Sequence, residues 1–163
     1  MITTKIFTPS LANWELIKNK ILFIEKQAFG SGGFGEEEIM TDFLDPKNIV
    51  VLLKDQTTDE VVGFTYAKPF EPETDDSPAL PGETAWIWDT VIQKEYRGRS
   101  LLGQMMSVLE IELKKLGFKY MERNALIAND FAENISKHYK DRIIKNFPLD
   151  SRWGPQIFFR IKL

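Results

Sequence analysis

The sequence predicts an α/β domain, a mixed central β-sheet with helices on both faces. Three observations predict it. Several stretches repeat apolar residues at three- and four-residue steps. Shorter runs are rich in β-branched and aromatic residues. The two kinds alternate in the order β-α-α-β-β-β-α-β-α-β-β.

Each element has its own signal. Residues 3–7 form a first strand, broken by Thr8-Pro9-Ser10, where Ser10 can cap a helix. Trp14, Ile17, Ile21, Ile24 and Ala28 then mark one helical face, and Gly30 is placed to end it. A glycine-rich loop over residues 30–35 follows. Glu36, Glu37 and Glu38 open a second helix, where carboxylates suit the positive end of the helix dipole, and Pro46 stops it. Residues 48–54 and 61–67 read as a hairpin around a polar turn. Residues 70–82 are rich in Pro, Asp and Glu and read as a loop before a strand over 84–92. A third helix spans about 100–116, with Leu102, Met105, Leu109, Leu113 and Leu116 as its buried stripe and Gly117 past its end. A strand over 120–127 and a fourth helix capped by Asn129 or Asp130 come next, with Phe131, Ile135 and Tyr139 on one side. Two strands, 142–147 and 156–161, complete the chain. The strand–helix–strand units over 84–127 and 120–147 predict parallel pairings. No linker interrupts the pattern, so residues 1–163 read as a single domain.

Composition narrows the function. The chain has 163 residues, 43% of them hydrophobic, enough for a core without covalent staples. It has no cysteine, which excludes disulfides, thiolate metal sites and a cysteine nucleophile. A lone His138 argues against a histidine metal cluster. A net charge of -3 gives no general basic surface for nucleic acid and favours cationic partners. The first residues carry no basic stretch before an apolar run, and no apolar run approaches the ~18–20 residues of a spanning helix. The expectation is a cytoplasmic protein with no membrane or nucleic-acid partner.

One segment carries chemistry. After the strand ending in Val91-Ile92, the turn Arg97-Gly98-Arg99-Ser100 leads into a helix beginning Leu101-Leu102-Gly103. The first N–H groups of a helix have no intrahelical partner, and the dipole adds about half a positive charge there. Gly98 lets an anion approach the backbone, and Arg97 and Arg99 add permanent charge. The pattern suits a phosphate group. Read without that ligand, it is a solvated connection.

The segment resembles the acyl-coenzyme A motif of the GNAT N-acetyltransferase superfamily: Arg or Gln, two residues, Gly, one residue, then Gly or Ala. The frame starts at Arg97. Ser100 stands where the family has Gly, Leu102 where it has Gly or Ala, and Gly103 follows one residue later. The predicted element order is also the family's. Val62-Gly63-Phe64 resembles the start of its third strand, and Asn129-x-x-Ala132 its fourth-helix signature. The resemblance implies a GNAT-like fold and acetyl-coenzyme A as co-substrate. It implies binding by Val91, Ile92, Arg97, Gly98, Arg99, Ser100, Leu101, Leu102, Gly103 and Asn129. No metal is implied.

The implied reaction is direct attack of an amine on the thioester. The amine must lose a proton and the leaving thiolate must gain one. In the family a tyrosine on the fourth helix protonates the thiolate, and Tyr139 is the candidate. It lies about one turn further along than the family's tyrosine, and a core tyrosine is the competing reading. The two positions where the family carries a glutamate base are Trp86 and Asn124, neither acidic. Glu122 and Asp89 are the nearest carboxylates, with Glu83 a third. A water chain, or an acceptor of low pKa, would make a dedicated base unnecessary.

The expected acceptor is a small-molecule or peptide amine. Acid at Glu36–Glu38 suits a cationic one, with the loops over 30–36 and 70–82 shaping its pocket. Trp86 and Trp88, on one face of their strand, read as core rather than as an aromatic cage. The resemblance leaves a homodimer open. The competing function is a domain that binds acyl-coenzyme A as a sensor, without turnover.

Overall fold

The structure is a computed structural model and describes residues 1–70 and 82–163. Its element order is the predicted one: β1 (Ile2–Ile6), α1 (Leu11–Phe29), α2 (Glu36–Leu44), β2 (Ile49–Asp55), β3 (Glu60–Pro69), β4 (Thr84–Ile92), α3 (Leu101–Lys115), β5 (Tyr120–Leu126), α4 (Phe131–His138), β6 (Ile143–Ser151) and β7 (Gly154–Lys162). These elements fall into two compact units, Met1–Lys68 with Trp88–Glu112 and Pro69–Ile87 with Leu113–Leu163.

In the first unit the strands run β1-β2-β3-β4, with β1–β2 and β2–β3 antiparallel. The Ser10 hydroxyl accepts the Asn13 N–H at 3.1 Å and starts α1, and Gly30 ends it at φ 59°. Trp14, Ile21 and Ile24 of α1 are buried with Ile39 and Phe43 of α2 and Phe64 and Tyr66 of β3. Phe43 lies at the centre of this core. Its ring packs edge-on to Trp14, Phe64 and Tyr66 at centroid distances of 5.5, 5.7 and 5.6 Å.

In the second unit the strands run β4-β5-β7-β6. The β4–β5 pair is parallel, as expected for a strand–helix–strand crossover. The second expected parallel pair, over 120–147, does not form. β7 lies between β5 and β6 and is antiparallel to both. Burial explains the order. β7 buries Gln156, Phe158, Phe159 and Ile161, while β6 exposes most of its side chains and carries Pro148, which suits an edge strand. β6 also runs past the expected end at Phe147, because Pro148 is tolerated there. Leu116, expected in the buried stripe, is 62% exposed because α3 stops at Lys115.

Gly63 on β3 is where the first unit permits no side chain. An added Cβ would sit 2.9 Å from the Val91 carbonyl oxygen, 3.1 Å from Leu53 and 3.3 Å from the Ile92 Cα. Two of these neighbours are backbone, so β3 and β4 would have to part. Gly63→Ala is expected to lose about 1–3 kcal/mol in urea denaturation.

Candidate active site

The helix start predicted to hold phosphate is built within the first unit. After β4, the Gln93 N–H donates to the Val62 carbonyl at 2.9 Å, and residues Lys94–Tyr96 make one 3-10 turn. Side chains brace that turn. The Gln27 Oε1 accepts the Lys94 N–H at 2.9 Å, and the Tyr96 hydroxyl donates to Asp55 at 3.0 Å. Arg97 Nε donates to the Ile92 carbonyl at 2.8 Å, and Arg99 Nη2 to the Glu95 carbonyl at 3.1 Å. Both arginines are therefore anchored at one nitrogen, exposed, and still hold further N–H donors.

Gly98 and Ser100 both adopt the left-handed region, at φ 74° and 58°. Ser100 stands in the motif's glycine position and keeps a glycine-like conformation. The first intrahelical bond of α3 runs from Gln104 N–H to Ser100 C=O. The amides of Leu101, Leu102 and Gly103 precede it and have no carbonyl inside the helix to meet. Nothing lies within 4 Å of where a Gly98 Cβ would be. Free amides, open backbone and two guanidinium groups fit a pyrophosphate-bearing ligand.

A cavity of about 360 Å³ opens elsewhere in the same unit, lined by Phe34, Glu37, Glu38, Thr41, Asp42, Lys68 and Trp88. Phe34 comes from the glycine-rich loop, as the sequence leads one to expect of a pocket wall. The other loop expected to shape the pocket falls mostly on residues 71–81, outside the described residues. Trp88 is not core. It is 42% exposed, with Phe34 at a ring distance of 5.9 Å. The Lys68 ammonium sits 4.1 Å from the centre of the Trp88 indole and 2.5 Å from Asp42 Oδ1. Asp42 Oδ2 accepts the Tyr66 hydroxyl at 3.1 Å. Burial first, then the charges of Asp42, Asp89 and Glu25, push the Tyr66 phenol up, so it stays protonated as a donor.

Asp89, on β4 next to Trp88, is buried. Its Oδ1 accepts the Thr90 N–H at 2.7 Å. The sequence reading did not single out Glu25, Asp42 or Lys68. Glu25 had a signal, since it falls four residues after Ile21 and three before Ala28, inside the apolar stripe.

The remaining predicted residues belong to the second unit. Glu122 is fully buried and paired across the β5–β7 register with Arg160, whose Nε donates to Oε1 at 2.7 Å. Glu83 is paired with Lys119. The Asn129 Oδ1 accepts the Phe131 N–H at 3.2 Å and so caps α4, while Asp130 takes the cap backbone position at φ 59°. Tyr139 is the residue just past α4 and is 1% exposed. Its ring lies edge-on to His138 at 4.5 Å, with the Arg142 guanidinium 4.9 Å away.

Solved structures share this fold. An aminoglycoside 6'-acetyltransferase type Ii is 19% identical, with 97% of this chain and 96% of that one covered at a TM-score of 0.68. A phosphinothricin acetyltransferase from Sinorhizobium meliloti, in complex with acetyl-coenzyme A, is 18% identical, with 99% and 89% covered at 0.72. An aminoglycoside 6'-N-acetyltransferase complexed with coenzyme A is 16% identical, with 97% and 96% covered at 0.68. No protein of curated function matches in sequence. The model of the acetyltransferase (GNAT) family matches residues 18–134, and the chain belongs to that family. It is an acetyl-coenzyme A-dependent N-acetyltransferase. Among the described residues no helix is long and apolar enough to cross a membrane.

Two outcomes test the helix start. Ser100→Gly should relieve the left-handed backbone and raise stability by about 1 kcal/mol in denaturant unfolding. Arg97→Ala should weaken coenzyme A binding roughly tenfold to a hundredfold by calorimetry, through loss of a charge-assisted donor. Dephospho-coenzyme A should show the same loss, as expected of a donor to the pyrophosphate.

Proposed function

We propose that residues 1–163 act as one catalytic domain that moves the acetyl group of acetyl-coenzyme A onto a primary amine of a cationic small molecule or peptide. The family match runs through both compact units, which supports one domain. The observation that carries the acceptor class is the cavity beside Trp88. An ammonium group already rests there, on an indole face and a carboxylate. Glu37 and Glu38 add negative charge to its lining. Such a site favours a cation over a neutral amine of the same size.

The amine attacks the thioester carbonyl directly. A C–N bond forms, the C–S bond breaks, the nitrogen gives up one proton, and the thiolate takes one. Tyr139 is the proposed donor to the thiolate, its ring fixed between His138 and Arg142. Asp89 is the proposed acceptor of the amine proton, as the carboxylate of β4 nearest the position where the family carries its glutamate base. Glu122 is second to it, since Arg160 already holds its Oε1. The helix start, from Val91 and Ile92 through Arg97, Gly98, Arg99 and Ser100 to Leu101, Leu102 and Gly103, is the proposed seat of coenzyme A, with Asn129 as a further contact.

Thiol release from acetyl-coenzyme A tests the reading, with spermidine, an aminoglycoside, a lysine peptide and benzylamine as acceptors. Turnover should favour the polycations. A preference for benzylamine, which carries a single ammonium, would remove the polycationic acceptor, and no release with any amine would remove the enzyme reading of these residues. Tyr139→Phe keeps the ring and its packing. It should bind acetyl-coenzyme A normally and lose about 10²–10⁴-fold in turnover. Full turnover would make Tyr139 a packing residue.

A further inference from the structure

Lys68 stands near the end of β3, two residues after Tyr66, so the two side chains leave the strand on one face. Both meet Asp42 of α2. The Lys68 ammonium lies 2.5 Å from Asp42 Oδ1, and the Tyr66 hydroxyl donates to Oδ2 at 3.1 Å. The same ammonium lies 4.1 Å from the centre of the Trp88 indole. Pro69 follows and favours extended backbone at Lys68, which keeps its stem on the cavity face.

These contacts fill the seat. One carboxylate oxygen holds the ammonium, the other holds a phenol that burial keeps protonated, and the indole face carries the cation. A second ammonium on the same groups meets like charge at contact distance. The two donors to Asp42 differ in freedom. Tyr66 is 1% exposed and fixed in the core, whereas the Lys68 side chain is 26% exposed and ends a flexible stem. A lysine ammonium is strongly hydrated, so it can turn out to water at small cost. Glu37 and Glu38 line the same cavity and are exposed, so they can draw in a cation before the seat opens.

We propose that Lys68 is an internal stand-in for the acceptor: its ammonium holds Asp42 and the Trp88 face, and yields them when the acceptor's ammonium enters the cavity. This rests on the reading that the cavity takes the acceptor. Lys68 is then a specificity-determining residue. Every amine competes with an ammonium tethered beside the seat, and its apparent affinity is lowered by the fraction of time the seat is filled. An amine with a second ammonium for Glu37 and Glu38 wins that competition most readily.

Calorimetry of spermidine and benzylamine on the protein saturated with coenzyme A tests this without turnover. Lys68→Met keeps the apolar stem and removes the competitor. It should tighten both amines about tenfold. Lys47→Met removes the same charge from an exposed turn outside the cavity lining and should tighten neither by more than about twofold. In the wild type, the Lys68 ε-methylene protons should resonate upfield, shielded by the Trp88 ring, in a spectrum of isotope-labelled lysine assigned with Lys68→Arg. They should return to the position of a solvent-exposed lysine as either amine saturates the cavity. Unchanged amine affinity in Lys68→Met, equal tightening in Lys47→Met, or a Lys68 signal that stays upfield at saturation would overturn the stand-in. If Lys68→Met does not fold, the wild-type signal decides alone. Glu37→Gln combined with Glu38→Gln keeps the two readings apart. If the cavity takes the acceptor, this variant should weaken amine binding about fivefold. With that loss present, an overturning result falls on Lys68 only. Amine binding untouched by this variant and by Lys68→Met alike would overturn the acceptor reading of the cavity, and the stand-in with it.

Discussion

A carboxylate taken out of water is costly unless something holds its charge or a proton removes it. The first unit buries two such groups, Glu25 and Asp89, and much of its local geometry follows. Glu25 sits on the buried side of α1, so its oxygens must be met from the chain around it. One is met by the amide of Phe34, which forces the 30–35 loop to fold back over α1. A Cβ at position 33 would press on Glu25, 3.0 Å from its Oε1 and 3.2 Å from its Cγ. On β4, Asp89 turns inward, and strand alternation turns Trp88 outward into the cavity. One buried acid thus sets the loop, and the inward turn of a second goes with the aromatic wall.

The helix start obeys a different constraint. Its amides must stay clear of side chains while the chain reverses from β4 into α3. Two left-handed residues, Gly98 and Ser100, make the reversal. A serine there costs strain that a glycine would avoid, yet the backbone trace the motif needs is kept. Leu102, the other departure from the motif, is half-buried, and Leu101 beside it is buried. The bulk added by these residues is absorbed largely by packing. Two carbonyls and two side-chain contacts from α1 and β2 hold the turn itself, so the guanidinium groups are presented from a braced loop.

The sequence was most legible where periodicity or a terminal signal was strong. The Ser10 cap, the Gly30 stop, the four helices and the turn at Gly98 all stand where pattern and capping chemistry put them. It was least legible where the deciding contact joins distant residues. Nothing local tells that β7 slips between β5 and β6. Only the comparison of a mostly exposed strand with one that buries Phe158, Phe159 and Ile161 makes β6 the edge. Trp88 looks like core by composition, and its exposure goes with Asp89 beside it taking the inward face of β4. Leu116 has the right spacing for the stripe but lies past the last turn of α3. Glu25 is the instructive case. An acid inside an apolar helical stripe conflicts with burial unless it is met by a partner, and the Phe34 amide that meets it lies outside α1.

Lys68 shows what the cavity offers a cation. Its ammonium takes one carboxylate oxygen of Asp42 and the face of Trp88, while the Tyr66 hydroxyl takes the other oxygen. Asp42 is thus fully engaged before any acceptor arrives. A cationic acceptor in this cavity has to share Asp42 and Trp88 with Lys68 or displace its ammonium, and a second ammonium beside the first is repelled. Glu37 and Glu38 tip that balance. They line the same cavity, and Glu38 already turns one oxygen to the Gly35 amide at 3.0 Å, which leaves its other oxygen for a second cation. Three carboxylates against one lysine leave the cavity net negative by two charges at neutral pH. An acceptor with two or more ammonium groups can neutralise that excess and still present one amine for reaction. A singly charged one spends its only ammonium on the wall.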